Sequence, residues 1–406
     1  MRRDALPALV LLAAGWALTL LVAPWSDERV NDLFVYRGFA EPVLGGALPY
    51  RDAFFEYPPL AAPAIALPGL IGTGAEEFRL AFAGWTLLLA VAMALLCGGL
   101  AARSGGERRR ALLAAALTPL VCGALVRTHF DLAPVALTLA ALALLCASRP
   151  RVGFALLGAA VMTKGFALVI VPVALAWHVG RGMRREAWQG AAVCAAVIVA
   201  LAGLSAAASP QGALDAVRYH LERPVQIESA PAMVLFALDG AGLGEASATT
   251  SHRSDGLTHE AGWAVGGAAL ALMLGALALA TLAARRSPEP RTLVLASLAA
   301  VTAFAALGKV LSPQFLIWVL PLGALAFAWR MHALAAAVLV AALLTQLEFP
   351  AHYRDVVARE PLALLLVAAR DLTLLAVLAM ALGRLQLRGQ ENLLDRRRPA
   401  VVAGLD

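Results

Sequence analysis

Long apolar runs, separated by short polar or basic stretches, recur along almost the whole chain. A run of about 20 apolar residues predicts a helix that crosses a bilayer, because that length spans a hydrocarbon core of roughly 30 Å. The first such span covers 6–23 and the second 78–102, with shorter ones at 111–126 and 132–147. A seventh covers 188–204, and five more lie near 261–284, 291–307, 315–329, 333–347 and 361–383. Between them, Arg149 and Arg151 precede an apolar stretch that Arg181 to Arg185 follow. The roughly thirty residues between these clusters are too few for two full spans. A broken or re-entrant hairpin with Lys164 at its tip fits both length and charge, since interrupted half-helices are tolerated at membrane depth where they line a site. The pattern therefore predicts an all-α polytopic membrane protein of about a dozen transmembrane helices. Two polar segments interrupt it: a Pro- and Tyr-rich stretch at 24–77 and a long one at 205–260. Loops of such length tend to be functional.

Composition agrees, with 61% hydrophobic and 15% charged residues among 406 and a mean hydropathy of +0.77. No stretch is polar enough for a soluble domain. The net charge of +6 does not indicate nucleic acid, because Arg108-Arg109-Arg110, Arg184-Arg185, Arg285-Arg286 and Arg396-Arg397-Arg398 all sit between or after apolar runs. Cytoplasmic loops collect Lys and Arg in this way. That rule puts both termini in the cytoplasm, with a polar tail over 385–406, and segments 24–77 and 205–260 outside. Met1-Arg2-Arg3 with its apolar run reads as an uncleaved first span. Cys97, Cys122, Cys146 and Cys194 lie apart within apolar runs and read as small core residues.

Several cations break the positive-inside pattern on the outer side: Arg51, Arg127, His129, Lys164, Arg218, His220, Arg223 and Lys309. Among them lie the carboxylates Asp32, Asp52, Glu56, Asp131, Glu222 and Glu228. Cations at the membrane boundary suit an anionic headgroup such as a lipid phosphate, and carboxylates suit general-base work on a hydroxyl. For any one of these residues taken alone, an ordinary charged loop is the better reading. Asp32 reads either as a helix cap or as a base. Arg370-Asp371, deep in the last apolar run, reads either as a late start of that span or as a second hold on a lipid phosphate. Asp239-Gly-Ala-Gly-Leu-Gly244 follows no strand and reads as a flexible loop.

The outer segments also carry short local patterns: Asn31-Asp32 with Tyr36, Pro49-Tyr50-Arg51-Asp52, Glu56-Tyr57-Pro58-Pro59-Leu60, Arg127 followed by Phe130-Asp131, the Lys164 hairpin, Arg223-Pro224 with Gln226-Ile227-Glu228-Ser229, and Ser312-Pro313-Gln314-Phe315. In order and in side, this set resembles the glycosyltransferase C superfamily. It is most similar to family 87, the polyprenol-phosphate-mannose-dependent α-mannosyltransferases and their bacterial relatives. The resemblance implies a catalytic module over 1–260, more variable helices over 261–384 and loop helices on the extracytoplasmic face of a bacterial plasma membrane. It implies inverting transfer of a sugar, mannose in the family, from a polyprenyl-phosphate donor to a glycolipid or glycan acceptor. Asp32 matches the acidic base of the first outer loop. Lys164, His220, Arg223, Lys309 and Arg127 are then candidates to hold the donor phosphate. Tyr36, Arg51, Asp52, Glu56, Tyr57, Asp131, Glu228 and Gln314 are candidates to bind substrate or support the site. Asn31-Asp32 stands where many relatives carry paired acids, so a divalent metal is not expected, and no cofactor is. The competing classes are a transporter or flippase of lipid-linked sugars, for which internal repeats are absent, and a surface-polysaccharide ligase or polymerase.

Overall fold

The apolar runs fold as helices, and their bounds follow the hydropathy closely. In the computed structural model of the chain, residues 2–397 are described, with side chains over 4–387. Met1 and the tail from Arg398 lie outside the described residues. Helix α1 (Arg2–Leu21) leads into the first outer segment, which folds into α2 (Leu33–Leu44) and the short α3 (Ala61–Ala66). Helix α4 (Ala75–Arg103) returns across the bundle. The run predicted at 111–126 is instead broken into α5 (Arg108–Ala116), α6 (Thr118–Cys122) and α7 (Leu125–Thr128). Pro119 removes a helical N–H, and Gly123 takes a left-handed φ of +54°, so no single straight helix forms there. Helices α8 (Leu132–Cys146), α9 (Pro150–Thr163), α10 (Ile170–Gly180) and α11 (Arg184–Ala208) follow.

Residues 205–260 are not an open loop. They form α12 (Pro210–Glu222), β1 (Val225–Gln226), α13 (Ala230–Gly240), β2 (Ser247–Ser251) and β3 (Ser254–Thr258). The strands make an antiparallel sheet of order β1-β3-β2, with Val225 opposite Leu257 and Thr249 opposite Gly256. This small sheet corrects the all-α expectation. The remaining helices are α14 (Gly262–Arg286), α15 (Pro290–Leu307), α16 (Leu316–Ala328), α17 (His332–Glu348), the single turn α18 (Tyr353–Val357) and α19 (Pro361–Arg397). Helix α19 runs on well past residue 384, so within the described residues the predicted polar tail continues the last helix. Its Leu, Gln, Glu and Arg residues all favour helix.

Six helices among the described residues are long and apolar enough to cross a membrane: α1, α4, α11, α14, α15 and α19. The other apolar helices, α3 with the turn after it, α8, α9, α10, α13, α16 and α17, are shorter. Burial sorts the long ones. Helix α15 has 78% of its apolar window buried inside the protein, whereas α11 and α14 have 11% each. The first is enclosed by the bundle and the other two lie at its periphery.

The basic loops gather at one end of the bundle. There the Trp177 indole donates to the Glu289 carbonyl at 2.9 Å, and Trp329 donates to the Ser104 carbonyl at 3.1 Å. Segments 24–77 and 205–260 gather at the other end. Leu60 N–H bonds the Met162 carbonyl at 2.8 Å, and Gln226 N–H bonds the Lys309 carbonyl at 2.9 Å.

Candidate active site

Asp32 immediately precedes α2, but its carboxylate does not cap that helix. The cap is supplied by Asn31, whose Oδ1 accepts from Leu33 N–H at 2.8 Å. Asp32 is therefore released from the structural role that competed with catalysis. Its Oδ2 accepts from the Tyr36 hydroxyl at 3.1 Å and stands 3.4 Å from Nε2 of His129. A third of the Asp32 side chain, 34%, is exposed, so substrate can reach it. Tyr36 itself is fully buried. It stacks on Phe82 and meets Phe130 edge-on, both at 5.5 Å between centroids. Burial, with the Asp32 charge beside it, holds the Tyr36 phenol well above its usual range, so it remains a hydrogen-bond donor. The Nδ1 of His129 lies 3.0 Å from Thr128 Oγ1, whose own proton goes to the Ala124 carbonyl. By that network Nδ1 is the donor, leaving Nε2 to face Asp32.

Lys164 ends α9 with an extended backbone (φ −157°, ψ 126°), the predicted break in the hairpin. Its Nζ lies 2.7 and 2.8 Å from the two carboxylate oxygens of Asp131. It also sits 4.7 Å from the centre of the Phe130 ring, the same ring that packs on Tyr36. Asp131 is completely buried and takes a further bond from Trp318 Nε1 at 2.6 Å. A lysine and an aspartate that would each be costly alone at this depth thus compensate one another. Asp131 takes two of the three ammonium donors.

The second outer segment closes over the first. His220 Nε2 donates to the Glu56 carbonyl at 2.7 Å. Burial holds its imidazole below the ordinary value, so His220 stands as a neutral hydrogen-bonding group and not as the cation expected for a phosphate. The Glu56 carboxylate is buried and faces Arg253 NH1 at 3.3 Å, from the β2–β3 turn. Tyr57 packs edge-on to Phe130 at 5.1 Å, and its carbonyl accepts from the Tyr50 hydroxyl at 2.5 Å. Arg223 Nε donates to Ser254 Oγ at 3.1 Å. Lys309 Nζ donates to the carbonyls of Leu221 and Arg223, each at 2.7 Å. It thereby closes the C-terminal end of α12, where helix carbonyls lack intrahelical partners. Burial and the nearby Arg223 charge hold its ammonium below the usual range.

Other predicted residues stand apart from Asp32 and Lys164. Arg127 is buried and committed to the Thr19 and Ser26 carbonyls and to Glu28. It ties the end of α1 to the start of the outer segment, which corrects its assignment to the phosphate. Arg51 and Asp52 pair with each other on an exposed turn, where Asp52 also accepts from Leu48 N–H at 2.8 Å. Gln314 lies on the 3₁₀ turn before α16, which packs against α7. Glu228 is enclosed with Arg370, whose guanidinium also contacts Asp371 at 2.9 Å and Glu348 at 3.6 Å. Helix α19 begins at Pro361 and Arg370 is fully buried. Neither sequence reading of Arg370 holds: the span does not start late, and the guanidinium is spent on internal carboxylates.

Sequence reasoning left three residues out of the site. Trp318 reads as an interface anchor, yet it bonds Asp131. His129 is legible as an outer cation but not as the neighbour of Asp32. Arg253 carries no local motif, and only recognition of the β2–β3 hairpin would have aimed it at Glu56.

Among solved structures, the chain is similar to ArnT from Cupriavidus metallidurans in the apo state, at 16% identity and a TM-score of 0.49. That likeness covers 95% of this chain and 76% of the other. No curated protein matches the sequence. The model of glycosyltransferase family 87 matches residues 54–313, from the first outer segment to the turn before α16. That match takes in Glu56, Lys164, the whole second outer segment and Lys309, and with six apolar membrane-length helices around them, it shows that this multi-pass membrane protein belongs to glycosyltransferase family 87.

Proposed function

We propose that the chain transfers a sugar, mannose in the first instance, from a polyprenyl-phosphate carrier to a hydroxyl of a glycolipid or glycan, with inversion, at the Asp32 end of the bundle. The observation that carries this reading is the Asp32 carboxylate: partly exposed, free of helix capping, oriented by the Tyr36 hydroxyl and 3.4 Å from His129 Nε2. The positive-inside pattern supports an extracytoplasmic position for that end. The acceptor oxygen attacks the anomeric carbon as the bond from that carbon to the phosphate oxygen breaks, and Asp32 takes the hydroxyl proton. Nε2 of His129 is the group to which the proton can next pass. Such base assistance contributes about 10²–10⁴-fold.

The departing polyprenyl phosphate gains negative charge, so a fixed cation near it favours the transition state over the ground state. Lys164 keeps one ammonium donor beyond the two that Asp131 takes, and Arg223 keeps most of its guanidinium fork beyond Ser254. These two are the donor-phosphate ligands of the proposal. Tyr57 and Glu56 shape the acceptor side, with Glu56 held by Arg253. The Asn31-Asp32 pattern calls for no metal ion.

The test is transfer by the purified, reconstituted protein offered polyprenyl-phosphate-mannose, polyprenyl-phosphate-glucose or a nucleotide-linked mannose with a lipid extract as acceptor. The expected result is transfer from the lipid-linked donors only, with a product anomer opposite to the donor's by NMR. Transfer from the nucleotide sugar alone, or a retained anomer, overturns the reading.

A further inference from the structure

At the end of the bundle opposite Asp32, a cavity of about 440 Å³ opens between the first turns of α9 and α11, lined by Arg149, Arg151, Val152, Arg185, Glu186 and Gln189 with Pro150. We propose that it binds the phosphate headgroup of an anionic phospholipid, a site distinct from the one that handles the sugar donor.

The two helices run parallel in close contact. A Cβ on Gly158 would stand 2.9 Å from the Cys194 carbonyl, and one on Gly190 would stand 2.3 Å from the Phe154 ring. Both pairs share one register, which brings Pro150 and Glu186 side by side. The backbone N–H groups of two helix starts therefore face one cavity, and neither start is capped by a side chain. Helix starts carry partial positive charge and favour anions or acidic side chains. This pair collects three guanidiniums against one carboxylate, Glu186. Among the described residues none of the three arginines is in an ion pair; Arg151 is steadied by Gln189 Oε1, a neutral acceptor, at 2.9 Å. Cations massed on two positive dipole ends are mutually unfavourable until an anion joins them. Arg is also the side chain whose planar fork suits phosphate.

The surroundings select a lipid over a soluble anion. Helix α11 is one of the two least buried long helices, and beyond the cavity it presents Val199 and Leu204 outward, each 68% exposed. Val152 in the cavity lining and Trp188, next to the lining residue Gln189, are exposed too. Exposed tryptophan at a helix end marks headgroup level. A phosphate in the cavity thus sits beside the exposed Val152 and Trp188, at the foot of a helix whose side is apolar and outward-facing.

The test uses the full-length protein in nanodiscs of phosphatidylglycerol and phosphatidylcholine in equal amounts, released and read by native mass spectrometry for retained lipid. The wild type is expected to retain phosphatidylglycerol in preference, and R149Q/R151Q/R185Q to weaken that preference by about ten-fold or more. R108Q/R109Q, on the same end outside the cavity, is expected to keep it. An unchanged preference in the triple variant, or an equal loss in R108Q/R109Q, overturns the site. Displacement of the retained lipid by millimolar inorganic phosphate overturns the lipid assignment in favour of a soluble anion.

Discussion

The two ends of the bundle treat charge in opposite ways. At the Asp32 end, buried and part-buried cations are matched to carboxylates: Lys164 to Asp131, Arg127 to Glu28, Arg370 to Asp371 and Glu348. At the opposite end, Arg149, Arg151 and Arg185 stand exposed around a cavity with one carboxylate among them. The first arrangement is internal and self-compensated, so it can hold a carboxylate such as Asp32 in a set geometry. The second is open and uncompensated, so it depends on what the membrane supplies. A count of charges along the chain cannot separate the two, because both ends are rich in arginine and lysine.

Removing single cations sharpens the contrast. Lys164→Met leaves Asp131 buried and unpaired, and is expected to lower stability by about 3–5 kcal/mol. K164M/D131N, which removes both charges, is expected to recover much of that loss by thermal melting in detergent. If the single variant melts with the wild type, the pair is not the compensated unit described above.

Acidification gives a smaller effect through His220. Its folded imidazole binds a proton more weakly than the unfolded one. Stability is therefore flat above the unfolded value of about 6.5 and falls as the pH drops below it, by at most about 1.4 kcal/mol per pH unit. His220→Gln should flatten this part of the melting-temperature profile between neutral pH and the carboxylate range. An unaltered slope in that variant would assign the acid sensitivity elsewhere.

Arg253→Gln removes an ion pair whose arginine is nearly half exposed, so its stability cost should be below about 1 kcal/mol. Substrate affinity, read as KM for the acceptor, is the better measure there, since Glu56 loses its partner. The least effect is expected at the opposite end. In a neutral detergent R149Q/R151Q/R185Q should stay within about 0.5 kcal/mol of the wild type, because none of the three supports the fold through an ion pair. A large loss there would erase the distinction between the ends.

Much of the scaffold was legible in the sequence, because hydropathy reports burial directly. The bounds of α4, α11, α14 and α15 fall within a few residues of the apolar runs, and the Lys164 break follows from chain length and arginine placement alone. The breaks at Pro119 and Gly123 were not read, since an apolar run masks its own interruptions. The β1-β3-β2 sheet was missed because its strands are short, polar and far from the surrounding pattern. In the site, Asp32 and Lys164 stood out as ionisable residues at membrane boundaries. Their partners did not: Asp131 lies 33 residues from Lys164 and Trp318 lies 187 from Asp131. Such pairings are set by tertiary packing and leave no periodic trace. For the same reason Arg127 and Lys309 read as free cations, although one is locked to α1 and the other closes a helix end.

The proposal that Asp32 is the base rests on a carboxylate released from helix capping, held by the Tyr36 hydroxyl and next to His129 Nε2. Its most direct test is single-turnover transfer from polyprenyl-phosphate-mannose by the reconstituted Asp32→Asn variant, measured beside its melting temperature. Transfer slower by about 10²–10⁴-fold, with a melting temperature close to that of the wild type, is the expected result. Transfer at the wild-type rate contradicts the assignment, and a collapse in melting temperature would return Asp32 to a structural role.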